Sequence, residues 1–289
     1  MSGGYLEILK KVKDESMSIE ILSPQNARVK EWASLLEKKY RDQKQKYIVE
    51  GIHLVQEAIK NTSTVIECVC YDIDAGIPAE LASFSDSRLD VQWIAVSNAV
   101  IAKCTEVKSP QPVFAVIHKV NSLEQEQTFH RLCSKENSLV LVLDGVQDPG
   151  NVGTLIRSAD AVGADGVILG NGCADLYNPK VIRSTMGSLF HLPVLQGDLA
   201  EILPQAKAHG IRLAGTSLQA AVNCYTYDFT SSIWLLMGSE AKGLSAQVLG
   251  LMDDGLIIPM HGQSESLNVA MAGSVLLYEV LRQRAYSGE

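Results

Sequence analysis

Two hydrophobic periods alternate along this chain. Between residues 24 and 40, Val29, Trp32, Leu35 and Leu36 recur at helical spacing and predict a helix. Residues 47–50 read as a short strand, 51–60 as a helix and 64–71 as a strand. Residues 91–96 and 113–117 give two more strands, with a short helix starting at Ser97 between them. The stretch 119–137, KVNSLEQEQTFHRLCSKEN, is polar and lacks a strong apolar period. It reads as a linker that only Leu123 and Phe129 could anchor. Beyond it, apolar strands at 139–144, 166–169, near Val194, 211–215, 233–237 and 255–259 alternate with helices. Those helices are predicted from Asn151 to about Val162, across 179–189, over 199–209 and over 267–284. Continuous apolar strands between helices mean a parallel sheet covered on both faces, with its ligand site at the carboxyl ends of the strands. The expected class is therefore α/β: a tail at 1–17, a smaller α/β domain at 18–118, a linker at 119–137 and a parallel-sheet domain at 138–289.

Composition narrows the function classes. At 289 residues, 46% hydrophobic and 20% charged, the chain can bury a large core without disulfides or structural metal. No run approaches the roughly 18 apolar residues of a membrane span. Lys10, Lys11 and Lys13 precede no apolar segment of the kind a signal peptide needs, so a cytoplasmic location is expected. Cysteines 68, 70, 104, 133, 173 and 224 form no CxxC pair and no zinc-like spacing, which predicts reduced thiols and no metal site.

The net charge of −8 excludes a surface coated in cations, but the charge is uneven. Arg28, Lys30, Lys38, Lys39, Arg41, Lys44 and Lys46 face only Glu31, Glu37 and Asp42 within residues 26–46, a local balance of +4. From Ser138 onward, eight basic residues stand against fourteen acidic ones, giving −6. Alone, the basic stretch reads as a solvated helix face. It gains meaning only if the rest of the chain calls for a polyanion.

Three loops concentrate glycine and polar residues just after predicted strands. The first, DGVQDPGNVG at 144–153, leads into a helix in which Asn151 is a candidate N-cap. Arg157 sits there among Leu155, Ile156 and Ala159, and a semi-buried Arg calls for an anionic partner such as phosphate. The second loop, GSEAKGL at 238–244, carries Glu240. The third leads from Ile258 through His261 to Ser266 and Asn268, at the start of the last helix, where capping and anion binding are both available. GxxxxGK[ST], HExxH, GxSxG and GxGxxG motifs are absent.

In this order, DGVQDPGNVGTLIRSADAVGADGVIL, LLMGSEAKGL and IIPMHGQSESLNVAMAGSVLLYE resemble the three motifs of the SpoU (TrmH-like) RNA 2′-O-ribose methyltransferases of the SPOUT superfamily. Residues 21–118 are similar to the small RNA-binding domain that many members carry in front. The resemblance implies a deep trefoil knot in the C-terminal domain and a homodimer with each active site near the subunit interface. The last helix suits that: Leu267, Val269, Ala270, Met271, Val275, Leu276, Leu277, Val280 and Leu281 cover most of its circumference.

The implied reaction is methyl transfer from S-adenosylmethionine to a ribose 2′-hydroxyl. The resemblance assigns Asn151, Arg157, Glu240, Ser266 and Asn268 to catalysis, and Thr216, Gly238, Gly243, Ile258 and Leu267 to the cofactor. A side chain at Gly238 is then expected to press on the cofactor. Arg157 is expected to clamp the target phosphate, because a guanidinium, which gives up its proton so reluctantly, is a poor base; the proton acceptor stays open. Arg28, Lys30, Lys38, Lys39 and Arg41 are expected to contact RNA. Ribosomal RNA, the large-subunit molecule, is the favoured substrate. A tRNA enzyme and a non-catalytic RNA-binding or ribosome-assembly protein are the alternatives.

Overall fold

Asn26 opens the first helix, its Oδ1 accepting the amide of Arg28 at 2.9 Å. In a computed structural model of the chain, residues 19–217, 220 and 222–286 are described; the tail expected at 1–17 lies outside them. The chain divides into two compact units at His118/Lys119. The first holds β1 (Ile19–Ile21), α1 (Ala27–Ser34), α2 (Lys38–Lys44), β2 (Lys46–Glu50), α3 (Ile52–Lys60), β3 (Ile66–Asp72), α4 (Ala82–Ser87), β4 (Gln92–Val96), α5 (Asn98–Cys104) and β5 (Val113–His118). Its sheet runs β1-β4-β3-β5-β2, with β5 antiparallel to both neighbours. Val29, Trp32 and Leu35 pack under it against Ile94 and Phe114.

The single helix expected over 24–40 is two helices, and Arg41 explains the break. Glu37 is extended, so the carbonyls at the end of α1 lose their helical partners. The Arg41 guanidinium supplies replacements, donating to the carbonyls of Leu35 at 2.8 Å and Leu36 at 2.6 Å. Arg41 is 2% exposed. It is therefore not a surface contact for RNA, as its place in the basic stretch suggested, but an internal cap.

The second unit holds α6 (Ser122–Ser134), β6 (Leu139–Asp144), α7 (Pro149–Ala161), β7 (Gly166–Leu169), α8 (Pro179–Thr185), β8 (Val194–Gln196), α9 (Leu199–Ala208), β9 (Arg212–Thr216), β10 (Val222–Asn223), β11 (Ile233–Gly238), α10 (Ala246–Leu251), β12 (Asp254–Ile257) and α11 (Val269–Tyr286). The polar stretch expected to be a linker forms α6 instead. A capping box starts it: Asn121 accepts the amide of Glu124 at 2.9 Å, and Glu124 reaches back to the amide of Asn121. Leu132 and Cys133 are buried in the core of this unit, and Phe129 meets Trp234 edge-on at 6.1 Å, whereas Leu123 stays exposed.

All seven strands are parallel, in the order β10-β12-β9-β11-β6-β7-β8. Strands β6 and β11 run side by side from Ile233↔Leu139 to Gly238↔Asp144, so their loops leave the sheet level with each other. Helix α11 is fastened at its far end by Arg284, which donates to the carbonyls of Phe229, Asn137 and Ser231. Glu279, nearly buried, is held below the usual carboxylate range by hydrogen bonds from Arg282 and then Gln283.

Arg41→Met should leave two carbonyls without donors and lower the unfolding free energy by about 2 kcal/mol. Urea denaturation followed by tryptophan fluorescence reads this through Trp32. An unchanged midpoint would mean that water caps α1 equally well.

Candidate active site

Strands β12, β9 and β11 are neighbours, and the loops leaving their carboxyl ends enclose a cavity of about 660 Å³. Thr216, Gly238, Gly243, Ile258 and Leu267 all line it, as do Glu240, Ser266 and Asn268. Leu244 and Leu256 form a buried apolar floor, while the loop from Met260 to Asn268 is exposed throughout. Neither Asn151 nor Arg157 lines the cavity.

Asn151 joins the site through its side chain. Its Nδ2 donates to Glu240 Oε1 at 2.6 Å, and its Oδ1 accepts from Asn268 Nδ2 at 3.2 Å. Asn268 Oδ1 accepts the amides of Ala270 at 2.9 Å and Met271 at 3.4 Å, capping α11. The N-cap of α7 is Asp148 rather than Asn151: its Oδ1 accepts the amide of Asn151 at 2.9 Å, with Pro149 at the first helical position. That frees the Asn151 carboxamide to bridge. The same amide bond holds the Asp148 carboxyl below its usual range, with Lys180 adding to the effect.

Arg157 is exposed, contrary to the semi-buried position that its apolar neighbours suggested. Leu155, Ile156 and Ala159 are buried on the core side of α7, and about 100° of turn per residue carries Arg157 out to solvent. Among the described residues it has no hydrogen-bond or ion-pair partner.

The turn after β11 closes on itself. Ser239 and Gly243 exchange backbone hydrogen bonds at 3.0 and 2.9 Å, with Gly243 at φ 66°. A Cβ on Gly238 would lie 2.1 Å from the Gly243 carbonyl carbon and 2.2 Å from the Leu244 nitrogen. The glycine is thus required by the turn's own backbone, which corrects the expectation that a side chain there would press on a cofactor. Asp144, which sequence reasoning passed over, ties this turn to β6 by accepting the Ser245 amide at 2.6 Å.

The basic stretch of the first unit presents a second candidate surface. Lys30, Lys38 and Lys39 are exposed; Lys38 pairs with Asp42, and Lys39 lies over the Tyr40 ring. Arg28 donates to Gln92 at 2.9 Å and stacks on Trp32. Lys46 is half-buried between Glu67 and Glu31.

A parallel sheet with a cavity at three adjacent strand ends, bordered by a carboxylate and a carboxamide that a second carboxamide bridges, defines an α/β enzyme that takes a small molecule at its strand ends. Comparison with known proteins gives the family. Residues 138–278 match the SpoU rRNA methylase family and residues 26–115 the MRM3-like substrate binding domain. The 23S rRNA (guanosine(2553)-2′-O)-methyltransferase RlmP of Bacillus subtilis is 38% identical over 261 residues, covering 90% of this chain and 98% of that one. A 23S rRNA (uridine(2479)-2′-O)-methyltransferase of Streptomyces viridochromogenes is 32% identical over 274 residues, covering 91% and 92%. The crystal structure of the SpoU methyltransferase AviRb from Streptomyces viridochromogenes with AdoMet superposes with a TM-score of 0.82 at 31% identity, over 92% of this chain and all of that one. The chain belongs to the SpoU family of RNA methyltransferases.

Gly238→Ala should act on the turn before it acts on any ligand. Overpacking of roughly 1–3 kcal/mol should lower the melting temperature by several degrees in the absence of cofactor. Calorimetric scans of the two proteins check this, and an unshifted transition would show that the turn relaxes freely.

Proposed function

We propose that this protein transfers the methyl group of S-adenosylmethionine to a ribose 2′-hydroxyl of 23S ribosomal RNA. The hydrogen-bonded Glu240–Asn151–Asn268 trio beside a cavity of cofactor size carries this reading. Both curated relatives described above are named as 23S rRNA 2′-O-methyltransferases, which favours the large-subunit molecule over tRNA. A ribosomal substrate places the reaction in the cytoplasm. Among the described residues, no helix is long and apolar enough to cross a membrane.

The cavity suits the cofactor: about 660 Å³, an apolar floor at Leu244 and Leu256, and strand-end backbone around the rim. Thr216, Gly238, Gly243, Ile258 and Leu267 would hold it, chiefly through backbone groups. Bound there, S-adenosylmethionine supplies an electrophilic methyl. A 2′-hydroxyl is a weak nucleophile, so the protein must hold it in line and favour loss of its proton. Asn151, fixed at both ends of its amide, and Ser266 at the rim orient the ribose. Arg157, without a partner among the described residues, clamps the adjacent phosphate and stabilises developing negative charge. The exposed Lys30, Lys38 and Lys39 of the first unit, with the half-buried Arg28, add sequence-tolerant phosphate contacts.

The same reading includes a homodimer and a deep trefoil knot in the second unit. Met271 and Tyr278, 56% and 54% exposed, share one face of α11, and the adjoining loop at 260–268 is also exposed. A second copy would cover both. The insertion of β11 between β9 and β6, and of β12 between β10 and β9, suits the knotted path that the family resemblance implies.

Labelled methyl transfer to 23S rRNA, with tRNA in parallel, tests the assignment. Arg157→Ala should weaken RNA binding by no more than the roughly tenfold of one phosphate contact and cut single-turnover transfer at saturating RNA by about 10²-fold or more. Transfer to tRNA alone, or full activity without Arg157, would overturn it. In sedimentation the protein should run as a dimer at micromolar concentration, and Met271→Asp with Tyr278→Asp should give an inactive monomer. A monomeric, fully active wild type would rule out the dimer.

A further inference from the structure

The stretch of the second unit from Ser138 onward has few cations to spare for a polyanion. From Ser138 onward the chain carries −6, with eight basic residues in all, so RNA must be held by local charges against the net field. Six of the eight are already engaged. Lys180 meets Asp148 at 3.5 Å, Lys207 meets Asp253 at 2.6 Å, and Arg212 meets Asp254 at 2.6 Å. Arg282 bonds Glu279 at 2.7 Å, Arg284 donates to three carbonyls, and Arg183 has a partner as well. Among the described residues, the two that remain are Arg157, given a role above, and Lys242, which has none.

Lys242 is not a random surface lysine. It is exposed, yet it lines the cavity, two residues after Glu240 in the turn closed by Ser239 and Gly243. Its amide donates to Ser239 Oγ at 3.2 Å, and Asp144 anchors the end of the turn through Ser245. The backbone carrying this ammonium is therefore held in place while the side chain stays unpaired. Arg157 lies six residues beyond Asn151 on α7, about 9 Å of helix rise. The Asn151–Glu240 hydrogen bond joins the two segments that carry these cations, α7 and the turn after β11.

We infer that Lys242 binds a backbone phosphate of the RNA, a second one beside that held by Arg157, so that the target ribose is fixed between two cations. This rests on the methyl-transfer reading. An ammonium at the cavity wall could also meet the carboxylate of the cofactor. Its exposure favours the RNA, since Lys242 is exposed at the cavity wall whereas the floor at Leu244 and Leu256 is buried. Lys242 is then a substrate-binding residue, and Arg157 keeps the part nearest the reaction.

The test measures RNA affinity across a salt series and cofactor affinity by calorimetry for wild type, Lys242→Met, Lys242→Arg and the ion-paired control Lys207→Met. Lys242→Met should weaken RNA binding about tenfold at low salt and flatten the log–log salt slope by about 0.7, the loss of one single-strand phosphate contact. Cofactor affinity should stay within twofold, and the half-saturating RNA concentration should rise while the single-turnover rate at saturation is kept. Lys242→Arg should restore the slope, and Lys207→Met should not change it. An unchanged slope for Lys242→Met overturns the inference. So does weakened cofactor binding with the slope intact, which would assign Lys242 to the cofactor carboxylate. Wild-type transfer is assayed alongside, so a failure of the methyl-transfer reading registers there and not in the Lys242 slope.

Discussion

The site depends on one carboxamide that is bonded at both ends. A carboxylate only accepts, so Glu240 requires the Nδ2 of Asn151, and the Oδ1 of Asn151 is left facing Asn268. Asn268 must answer with its own Nδ2, because its Oδ1 is taken by the first amides of α11. The chain of donors thus runs in one direction, from the α11 N-terminus through two carboxamides to a carboxylate. Each bond polarises the next, and neither amide can flip without losing at least two partners. Three segments separated by 89 and 117 residues are locked into one arrangement by this single relay.

The parallel sheet makes the relay possible. Strands β6 and β11 end level at Asp144 and Gly238, so the segments that lead to Asn151 and Glu240 leave the same end of the sheet together. Asp148 takes over the capping of α7 and releases Asn151, while Asp144 holds the turn behind Glu240. Both acids serve the geometry of groups that they do not themselves present to a ligand.

Much of this was legible in the sequence. The apolar runs at 139–144 and 166–169 are strands with those limits, and strand 233–237 is extended only by Gly238. The three loops fall at strand ends as expected, since continuous burial leaves a strand only one pattern. Other features depended on pairings that periodicity does not register. Helix α6 buries only a narrow strip, so its polar sequence concealed it; the Asn121–Glu124 capping pair was the available signal. The burial of Arg41 and the exposure of Arg157 reversed their expected environments for one reason. Neighbours in sequence say little about which way a long side chain leaves its helix, and a kink at Glu37 or 100° of rotation decides it. The two-residue β10 and three-residue β1 are too short to show any period.

Charge gives the same division of labour. The first unit offers a loose cationic face, whereas the second, from Ser138 onward, spends most of its cations on internal carboxylates and carbonyls and leaves Arg157 and Lys242 without a side-chain partner among the described residues. Affinity spread over one surface and chemistry confined to another is what an enzyme that modifies one ribose in a long polyanion requires. Nucleoside mass spectrometry of 23S rRNA from cells lacking this protein tests that most directly. One 2′-O-methylated nucleotide should disappear, return with the wild-type gene and stay absent with Arg157→Ala. An unchanged set of 2′-O-methyl marks in the deletion, or their full restoration by Arg157→Ala, would contradict it.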